Sequence, residues 1–395
     1  MLDFTFTEEQ EMFRKMVADF VKKEVVPGYK ERKKLYRLPV AQRIIPGQKH
    51  LLGYPAEIKK KAGELGLCGL DIPEKYGGNP QGAITLGVCA EESAGYDFSI
   101  GASPIVNFFL FSSEEMREEW LPAIARGEKS LVFGATEADA GSDLRNAKAL
   151  ARKDGKFWLL NGEKNRVSGC YDADGVVVLC RTNPAIPQLS PFLITWDMPG
   201  VTRSALDDIA VGSYAGIVSM EDVRVPEQNL LVSDAEGFYT TMRIFDGNRA
   251  TMGLTCMRIA KMTLDETIDY VKQRVAFGRP IAKWEGVQFP IAEAATYIEL
   301  GRWMSYRVLW MQEQGMPTTM YASMIKWWAP VISEWIIHEC LLLHGHYGYA
   351  QDMPFGDRML SLSGGLGAQL GEAPAQIQKM IIARELLGKE YLPYR

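Results

Sequence analysis

Apolar residues follow two different spacings along the chain, and the changes between them predict three successive regions. The first region has apolar residues three and four positions apart, which is typical of helices with one buried face. Thr7 and Gln10 stand at the start of its first helix at the spacing of a capping box, in which each side chain bonds to the other residue's backbone N–H. The helical patterns of this region are 13–21, 55–66, 83–95 and 114–128.

Short runs rich in β-branched and aromatic residues, separated by turn residues, occupy the chain from Leu131 to about Val225. Long helical patterns return at Gly237 and continue to the C-terminus. Residues 29–54 are basic and contain Pro39 and Pro46, so we expect a loop insertion there. The patterns therefore predict an α, β, α order, with an N-terminal all-α domain, a central β domain and a C-terminal helical domain at 1–130, 131–236 and 237–395.

Composition and charge exclude several functional classes. With 395 residues, of which 47% are apolar, the chain is long enough for two or three subdomains. The net charge of -5 argues against a nucleic-acid groove, because such a groove needs a basic surface. We find no signal-peptide pattern and no apolar run of roughly 18 residues, so we expect a cytoplasmic protein without membrane insertion.

The cysteine and histidine patterns favour neither disulfides nor a metal. None of the six cysteines forms a CxxC pair, and most lie in apolar runs such as the one that ends at Cys180. We therefore expect free core thiols in a reducing compartment. His344 and His346 are two positions apart and have no third candidate ligand, so we predict no metal site.

Five motifs follow one another along these regions. They are TEADAGSD at 136–143, NGEKNRVSG at 161–169, FDGNR at 245–249, RVAFGRPI at 274–281 and GEAPAQIQKMIIARE at 371–385. Their order, and their places on the predicted strands and helices, resemble those of the acyl-CoA dehydrogenase family over nearly the whole chain. The resemblance implies an α+β multi-domain fold with an N-terminal helical domain, a central small β-barrel-like domain and a C-terminal four-helix bundle.

The resemblance also implies a reaction and its participants. The family uses FAD for the α,β-dehydrogenation of an acyl-CoA thioester to an enoyl-CoA, in which a carboxylate removes the α-proton and flavin N5 accepts the β-hydride. It implies a homo-oligomer, expected to be a tetramer, and an electron-transfer flavoprotein as the electron acceptor. The positions that match the family's flavin contacts are Phe133, Thr136, Gly141, Ser142, Arg166, Ser168, Arg274, Phe277, Gln288 and Gly345.

Two of these flavin regions depart from the family pattern. Arg166 stands where the family usually has an aromatic residue that covers the flavin. Its cation can either lie near the ring and change the redox potential, or point elsewhere and leave another side chain to cover the ring. In the loop HGHYGY, Gly345 and Gly348 match the family, but Leu342 before it and His346 within it replace a Gln and a Gly.

The acyl-CoA positions implied by the resemblance are Ser142, Phe245, Asp246, Arg249 and Gly371. From spacing alone, Asp246 and Arg249 share one helix face, and they can also form a salt bridge within the helix. Gly371 replaces a bulky neighbour of the base, so the acyl pocket should be wider. We therefore expect a branched, cyclic or aromatic acyl chain rather than a plain linear one.

Glu372 matches the family's catalytic base and lies just before a predicted helix N-terminus. A second carboxylate, Asp97, lies in a region where some relatives that act on alicyclic acyl-CoAs use an Asp as base. Asn248 stands where some branched-chain members place their base, but an amide cannot act as one. The alternatives are thus an alicyclic dehydrogenase that uses Asp97, a CoA-independent flavin oxidase or monooxygenase, and a non-catalytic flavin- or acyl-CoA-binding paralogue.

Overall fold

The computed structural model describes residues 4–36, 38, 42, 54–96, 98, 100, 105–183, 188–206, 208, 209, 215–232 and 237–391. They form two compact units, each built from segments that are far apart in sequence. The helical unit comprises Met1–Ala18, Ala83–Ser99 and Asp246–Arg395, and the sheet unit comprises Asp19–Gly82 and Ile100–Phe245. None of the described helices combines the length and the apolar character needed to cross a membrane.

The helical parts of the fold agree with the predicted α, β, α order. A five-residue π-helical segment, Val21–Val25, follows the first helix. The α-helices are α1 (Glu8–Phe20), α2 (Val26–Tyr36), α3 (Ala56–Glu64), α4 (Gly82–Ser93), α5 (Val106–Phe109), α6 (Glu114–Ala125), α7 (Gly237–Gln273), α8 (Glu285–Glu313), α9 (Thr319–Leu343), α10 (Phe355–Leu360), α11 (Leu366–Leu370) and α12 (Ala375–Leu387).

The first helix begins as its sequence predicts, and a second helix, α2, lies partly where a loop was expected. The Thr7 N–H donates to Oε1 of Gln10 at 3.0 Å, and the Gln10 N–H donates to Oγ1 of Thr7 at 3.2 Å, which confirms the capping box. The loop expected at 29–54 is wrong in its first part, because α2 extends to Tyr36. Its Glu and Lys residues are good helix formers and pair along the helix. Residues 43–53 lie outside the described part.

One seven-stranded sheet organises the sheet unit. The first six residues of β4 are buried, because its run of Val, Leu and Cys is apolar on both faces. β4 pairs in parallel with β1 and β2 and antiparallel with β5, and the sheet continues through β3 and β7 to β6. The strands are β1 (Leu131–Gly134), β2 (Leu150–Asp154), β3 (Phe157–Ser168), β4 (Gly175–Asn183), β5 (Gln188–Thr195), β6 (Val201–Ala205) and β7 (Ala215–Pro226).

Four long helices, α7 from Asp246 onward, α8, α9 and α12, dominate the helical unit, as the four-helix-bundle prediction requires. α9 packs against both α8 and α12. A short hairpin of β8 (Val275–Ala276) and β9 (Arg279–Pro280) follows α7. One core cluster contains Leu254 of α7, Leu309 of α8, Ile325 of α9 and Ala368 of α11, all nearly or fully buried. This shared core fixes the segment between α11 and α12, which carries Glu372.

Candidate active site

In the sheet unit, the turn TEADAGSD is fastened to strand β3. The backbone N–H of Asn165 donates to the carbonyl of Thr136 at 2.7 Å, which joins the first two motifs directly. Lys164 is fully buried, and its Nζ donates to the carbonyl of Ala135 at 3.3 Å and to Oε1 of Glu137 at 2.6 Å. The turn is thus held at its first residues by a buried ion pair and by main-chain bonding.

The Glu137 carboxylate also accepts hydrogen bonds from the backbone that follows the turn. The backbone N–H groups of Lys148 and Ala149 donate to its two carboxylate oxygens at 2.6 and 3.0 Å. Burial raises the pKa of Glu137, but Lys164 and these two amides outweigh it, so its pKa lies below the ordinary value. Glu137 therefore stays ionised and keeps its ion pair at neutral pH.

The residues assigned to the flavin around this turn are open to the surroundings within the sheet unit. Gly141, Ser142 and Ser168 are exposed, and Thr136 is partly exposed. A Cβ built on Gly141 would meet no atom within 4 Å. Open hydroxyl and main-chain donors of this kind suit a planar heterocycle with ring N–H and carbonyl groups.

Aromatic rings border the start of the same turn. Phe133 on β1 stacks on Phe108 with ring centroids 5.5 Å apart. Phe245, the first residue of FDGNR, meets Phe133 edge to face at 5.7 Å. Two of the sequence-assigned residues, one for the flavin and one for the acyl chain, are therefore in direct contact within the sheet unit.

Arg166 lies in an irregular part of β3. The register between β3 and β7 shifts between Lys164 and Val167, and Arg166 has a φ of 59°, in the left-handed region that non-glycine residues rarely adopt. Its guanidinium is half exposed and forms a salt bridge with Asp208. The cation at this departure from the family pattern is therefore paired with a carboxylate.

In the helical unit, FDGNR places a buried ion pair on α7. Arg249 Nη1 donates to Oδ1 of Asp246 at 2.6 Å, so the salt bridge considered from spacing is present. Thr319, at the start of α9, donates its hydroxyl to Oδ2 of Asp246 at 2.7 Å. Burial raises the pKa of Asp246 above its ordinary value. Nε of Arg249 is buried and has no hydrogen-bond partner among the described residues.

The backbone around Glu372 adopts an unusual conformation. Glu372 and Ala373 have φ values of 52° and 71°, both in the left-handed region. The side chain of Gln378, one turn into α12, donates to the carbonyls of both residues at 3.2 Å. Two consecutive non-glycine residues in this region cost free energy, and the Gln378 amide helps to hold them there. The chain thus turns sharply between α11 and α12.

The Glu372 carboxylate has two different oxygens. Oε1 accepts a hydrogen bond from Nδ2 of Asn248. Oε2 is buried and has no hydrogen-bond partner within the described part of the chain. Burial raises the pKa of Glu372 to about 7, although the positive charges of Lys326 and Arg249 act in the opposite direction. Glu372 is therefore a carboxylate that exchanges a proton near neutral pH.

Lys326 is a site residue that sequence reasoning missed. It lies in the apolar run of α9, is 1% exposed, and donates its Nζ to the carbonyl of Ala368 on α11 at 2.9 Å. Burial lowers the pKa of Lys326, while the negative charge of Glu372 raises it. The only signal in the sequence was a single cation inside an apolar helical pattern. The contact of Asn248 with Glu372 was missed as well.

The remaining residues assigned from the sequence to the helical unit are Arg274, Phe277, Gln288, Gly345 and Gly371. Phe277 is 92% exposed with a φ of 51°, and Gln288 is held by a bond from its Nε2 to the Ala282 carbonyl at 2.9 Å. Gly345 has a φ of 60°, which favours glycine. Arg274 follows the last residue of α7, and its backbone N–H donates to the Tyr270 carbonyl at 2.8 Å. A Cβ built on Gly371 would point into open space, where the backbone oxygen of Gly367, at 3.8 Å, is the one described atom within 4 Å.

The remaining predictions concern Asp97, a metal site and the cysteines. Asp97, the alternative base, lies outside the described residues. Across the described ranges, no three His, Cys, Asp or Glu side chains come together as a metal site would require. The six cysteines are free and five of them are buried, so the expectation of core thiols holds for those five, whereas Cys68 is only partly buried.

Three family models match successive parts of the chain. They are the acyl-CoA dehydrogenase N-terminal domain over residues 7–128, the middle domain over 132–223 and the C-terminal domain over 235–387. A probable acyl-CoA dehydrogenase, YngJ, of Bacillus subtilis (strain 168) is 32% identical over 98% of this chain and all of its own length. The acryloyl-CoA reductase (NADH) of Anaerotignum propionicum is 30% identical over 98% of this chain and 97% of its own.

A solved structure gives the same result for the fold. The crystal structure of an acyl-CoA dehydrogenase from Geobacillus kaustophilus superimposes with a TM-score of 0.83 at 30% identity, covering 98% of this chain and all of that chain. The motifs, the helical and β-sheet parts and these matches agree along almost the full length. The chain therefore belongs to the acyl-CoA dehydrogenase family, and it is an FAD-dependent oxidoreductase.

Proposed function

We propose that the protein dehydrogenates an acyl-CoA thioester to a 2-enoyl-CoA, with Glu372 as the base that removes the α-proton. One observation carries this proposal. Glu372 keeps a buried oxygen, Oε2, without a hydrogen-bond partner among the described residues, and burial raises its pKa to about 7. A base is most effective when its pKa lies near the working pH, because it is then both available and strong.

The α-proton of a thioester is a weak acid, so its removal needs support for the negative charge that develops on the carbonyl oxygen. In the proposed step the α-C–H bond breaks, the proton passes to Glu372, and the electron pair is delocalised towards that oxygen. The backbone N–H of Glu372 is the proposed donor to it, as in an oxyanion hole. When bound, FAD supplies the acceptor for the hydride that leaves the β-carbon.

The sheet unit supports the proposed contacts to FAD. Thr136, Gly141, Ser142 and Ser168 offer open polar groups, and the buried pair of Lys164 with Glu137 holds the turn that carries the first three. Arg166 is paired with Asp208, which supports the interpretation that its side chain points away from the flavin ring. From the helical unit we propose Arg274, Phe277, Gln288 and Gly345 as further FAD contacts, with Arg274 suited to a phosphate because its planar guanidinium donates two bonds.

For the acyl-CoA, we propose Ser142, Phe245, Asp246 and Arg249 as contacts and a branched or cyclic acyl chain as the preferred group. The unpartnered Nε of Arg249 supports a role for this pair with the CoA arm. The open space at Gly371 supports a wide acyl pocket. If this is correct, Gly371→Tyr will shift the preference from branched and cyclic thioesters towards linear ones, as measured by the ratio of their kcat/KM values.

We further propose a homotetramer that passes its electrons to an electron-transfer flavoprotein and works in the cytoplasm. The exposure of Phe277, at 92%, and of Phe289, at 62%, supports burial of this region by another copy of the chain. For the organisation of the chain we propose the division into domains at 1–130, 131–236 and 237–395. Sedimentation analysis of the FAD-loaded protein tests the tetramer.

A second candidate function is the reverse reaction, the reduction of a 2-enoyl thioester. The raised pKa of Glu372 favours it, because an acid with a pKa of about 7 is substantially protonated in the cell and can deliver a proton to the α-carbon. One relative at 30% identity carries the name acryloyl-CoA reductase (NADH). Reoxidation of the chemically reduced enzyme by acryloyl-CoA, compared with its reduction by propionyl-CoA, measures which direction is faster.

The proposed function is tested by anaerobic titration of the holoenzyme with linear, branched, cyclohexanecarbonyl, cyclohexenecarbonyl and aryl-substituted CoA thioesters, following flavin bleaching. We expect rapid bleaching by a branched or cyclic thioester that is lost in Glu372→Gln. Glu385→Gln, at an exposed position of α12, is the matched control and should bleach normally. Bleaching lost in Asp97→Asn but kept in Glu372→Gln would move the base to Asp97. The absence of bleaching by every thioester would favour the CoA-independent or non-catalytic alternatives.

A further inference from the structure

Asn248 contacts the proposed base, although none of the roles assigned above uses it. It lies on α7 between the paired residues Asp246 and Arg249 and donates from Nδ2 to Oε1 of Glu372. Thr251, on the same face of α7, donates its hydroxyl to the Asn248 backbone carbonyl at 2.9 Å and lies 3.5 Å from the Asn248 side-chain oxygen. The amide oxygen of Asn248 therefore faces Thr251, and its NH2 group faces the carboxylate.

This contact makes the two oxygens of Glu372 chemically different. Oε1 is occupied by the amide, whereas Oε2 is buried with no partner within the described residues. A hydrogen bond donated to a carboxylate favours its ionised form and restricts rotation of the group. The oxygen that remains free is then the one that can accept a proton from carbon.

We propose that Asn248 is a positioning residue that holds Oε1 of Glu372 and thereby selects Oε2 as the oxygen that takes the α-proton. The proposal rests on the proposed role of Glu372 as the base. In this step the α-C–H bond breaks, the new O–H bond forms at Oε2, and the electron pair stays on the thioester. Asn248 itself exchanges no proton and contacts no reacting atom.

The other charged groups around Glu372 come from two helices. Lys326 reaches it from α9 and Arg249 from α7, and both favour the ionised carboxylate. Asp246 is neutralised in part by its bond with Arg249. Asn248→Ala changes none of these charged groups, so a change in its pH profile reports the loss of the amide donor.

The test compares Asn248→Ala and Asn248→Asp with the wild-type holoenzyme. Asn248→Asp keeps the shape of the side chain, removes the donor and adds a negative charge. Thr255→Val is the matched control, because Thr255 lies about two turns beyond Asn248 on α7 and its hydroxyl donates to the Thr251 backbone carbonyl at 3.1 Å. The measurement is the single-turnover rate of anaerobic flavin bleaching from pH 6 to 9.5, with the thioester of the panel above that bleaches wild type fastest, and with its α-deuterated form.

We expect Asn248→Ala to lower the bleaching rate at pH 7 by about tenfold to a hundredfold, the range of one hydrogen bond to a charged group, with little change in half-saturation. The acid limb of its rate profile should move to higher pH, because the ionised carboxylate has lost a donor. Asn248→Asp should move that limb further, and the α-deuterium isotope effect should grow in both. Thr255→Val should match wild type.

Two results would overturn the inference in distinguishable ways. A wild-type pH midpoint and isotope effect in Asn248→Ala, with Glu372→Gln inactive, would refute the role of Asn248 and leave Glu372 as the base. Full activity of Glu372→Gln, or no bleaching by any thioester, would remove the proposed function and this inference together. Because Asn248→Asp preserves the side-chain volume, misfolding of the alanine variant alone would not decide the outcome.

Discussion

The buried carboxylate of Glu372 should make the folded protein less stable at neutral and alkaline pH than at acidic pH. Its pKa rises from the ordinary 4.5 to about 7 because burial disfavours the charged form. A rise of this size corresponds to about 3 kcal/mol, at 1.36 kcal/mol for each pKa unit. We therefore predict that Glu372→Gln, which keeps the shape but cannot ionise, is more stable than wild type at pH 8.

The sign and the pH range follow from linkage. Below pH 4.5 the group is protonated in both the folded and the unfolded chain, so the variant and wild type should have equal stability. Between pH 4.5 and 7 the unfolded chain ionises while the folded chain holds its proton, so the free energy of unfolding of wild type falls as pH rises. Above pH 7 the folded group is ionised as well, and the difference stays at its maximum.

The assay is the thermal midpoint of both proteins from pH 4.5 to 8.5, at one protein concentration and with saturating FAD, since ligands and oligomerisation also shift the midpoint. For a chain of this length, about 3 kcal/mol corresponds to roughly 4 °C when unfolding is cooperative. Glu385→Gln is the control, because it makes the same chemical change at an exposed position of α12. A difference between the two thermal midpoints that is constant with pH, or one that grows towards acidic pH, would refute the argument.

Three further changes test other parts of the site. Lys326→Met removes a buried cation near Glu372, so the acid limb of the rate profile should move to higher pH, as measured by anaerobic bleaching. Lys164→Met leaves the Glu137 carboxylate without its buried partner, so it should lower stability by about 3–5 kcal/mol and weaken FAD retention on gel filtration. Ala373→Gly relieves a φ of 71° and should raise the free energy of unfolding by about 0.5–1 kcal/mol in urea titrations.

The two lysine changes have matched surface controls. Lys379→Met, at the surface of α12, should leave the pH–rate profile unchanged. An unchanged pH–rate profile in Lys326→Met would show that Lys326 does not affect the ionisation of Glu372. Lys148→Met removes an exposed pair with Asp139 and should retain FAD. A destabilised Ala373→Gly would mean that the left-handed conformation carries no strain there.

Much of the fold could be predicted because local patterns determine it. The capping box of α1 and the pairing of Asp246 with Arg249 depend on residues three positions apart, so spacing suffices. The sequence does not delimit β2 and β6, because most of their side chains are polar and exposed and give no apolar alternation. The basic charges and the prolines beyond Tyr36 predict a loop from residue 29, whereas the charged residues of α2 are good helix formers and continue the helix to Tyr36.

The candidate site could be predicted only in part, because its chemistry depends on long-range contacts. The motif indicates Glu372, but its partner Asn248 lies 124 positions away. Asparagine occurs in many structural roles, so the residue type alone does not indicate this contact. Lys326 could be noticed as an isolated cation in an apolar helix, yet only the fold shows that it bonds to the Ala368 carbonyl. Residue type and spacing therefore indicate the reaction, while the ionisation of the proposed base is set by side chains that meet through the core.

The features that suit Glu372 for proton transfer are the same ones that make it unfavourable for folding. The segment of Glu372 and Ala373 holds two consecutive left-handed residues, each of which costs of order 1–3 kcal/mol, and a carboxylate whose ionisation costs about 3 kcal/mol more. Folded domains are stable by only about 5–15 kcal/mol, so these costs must be offset nearby. The bonds from Gln378 and Lys326, together with the packing of Ala368 into the core shared by α7, α8 and α9, supply that support. A carboxylate with a free, desolvated oxygen is therefore retained here against the demands of stability, as expected of a group that acts in catalysis.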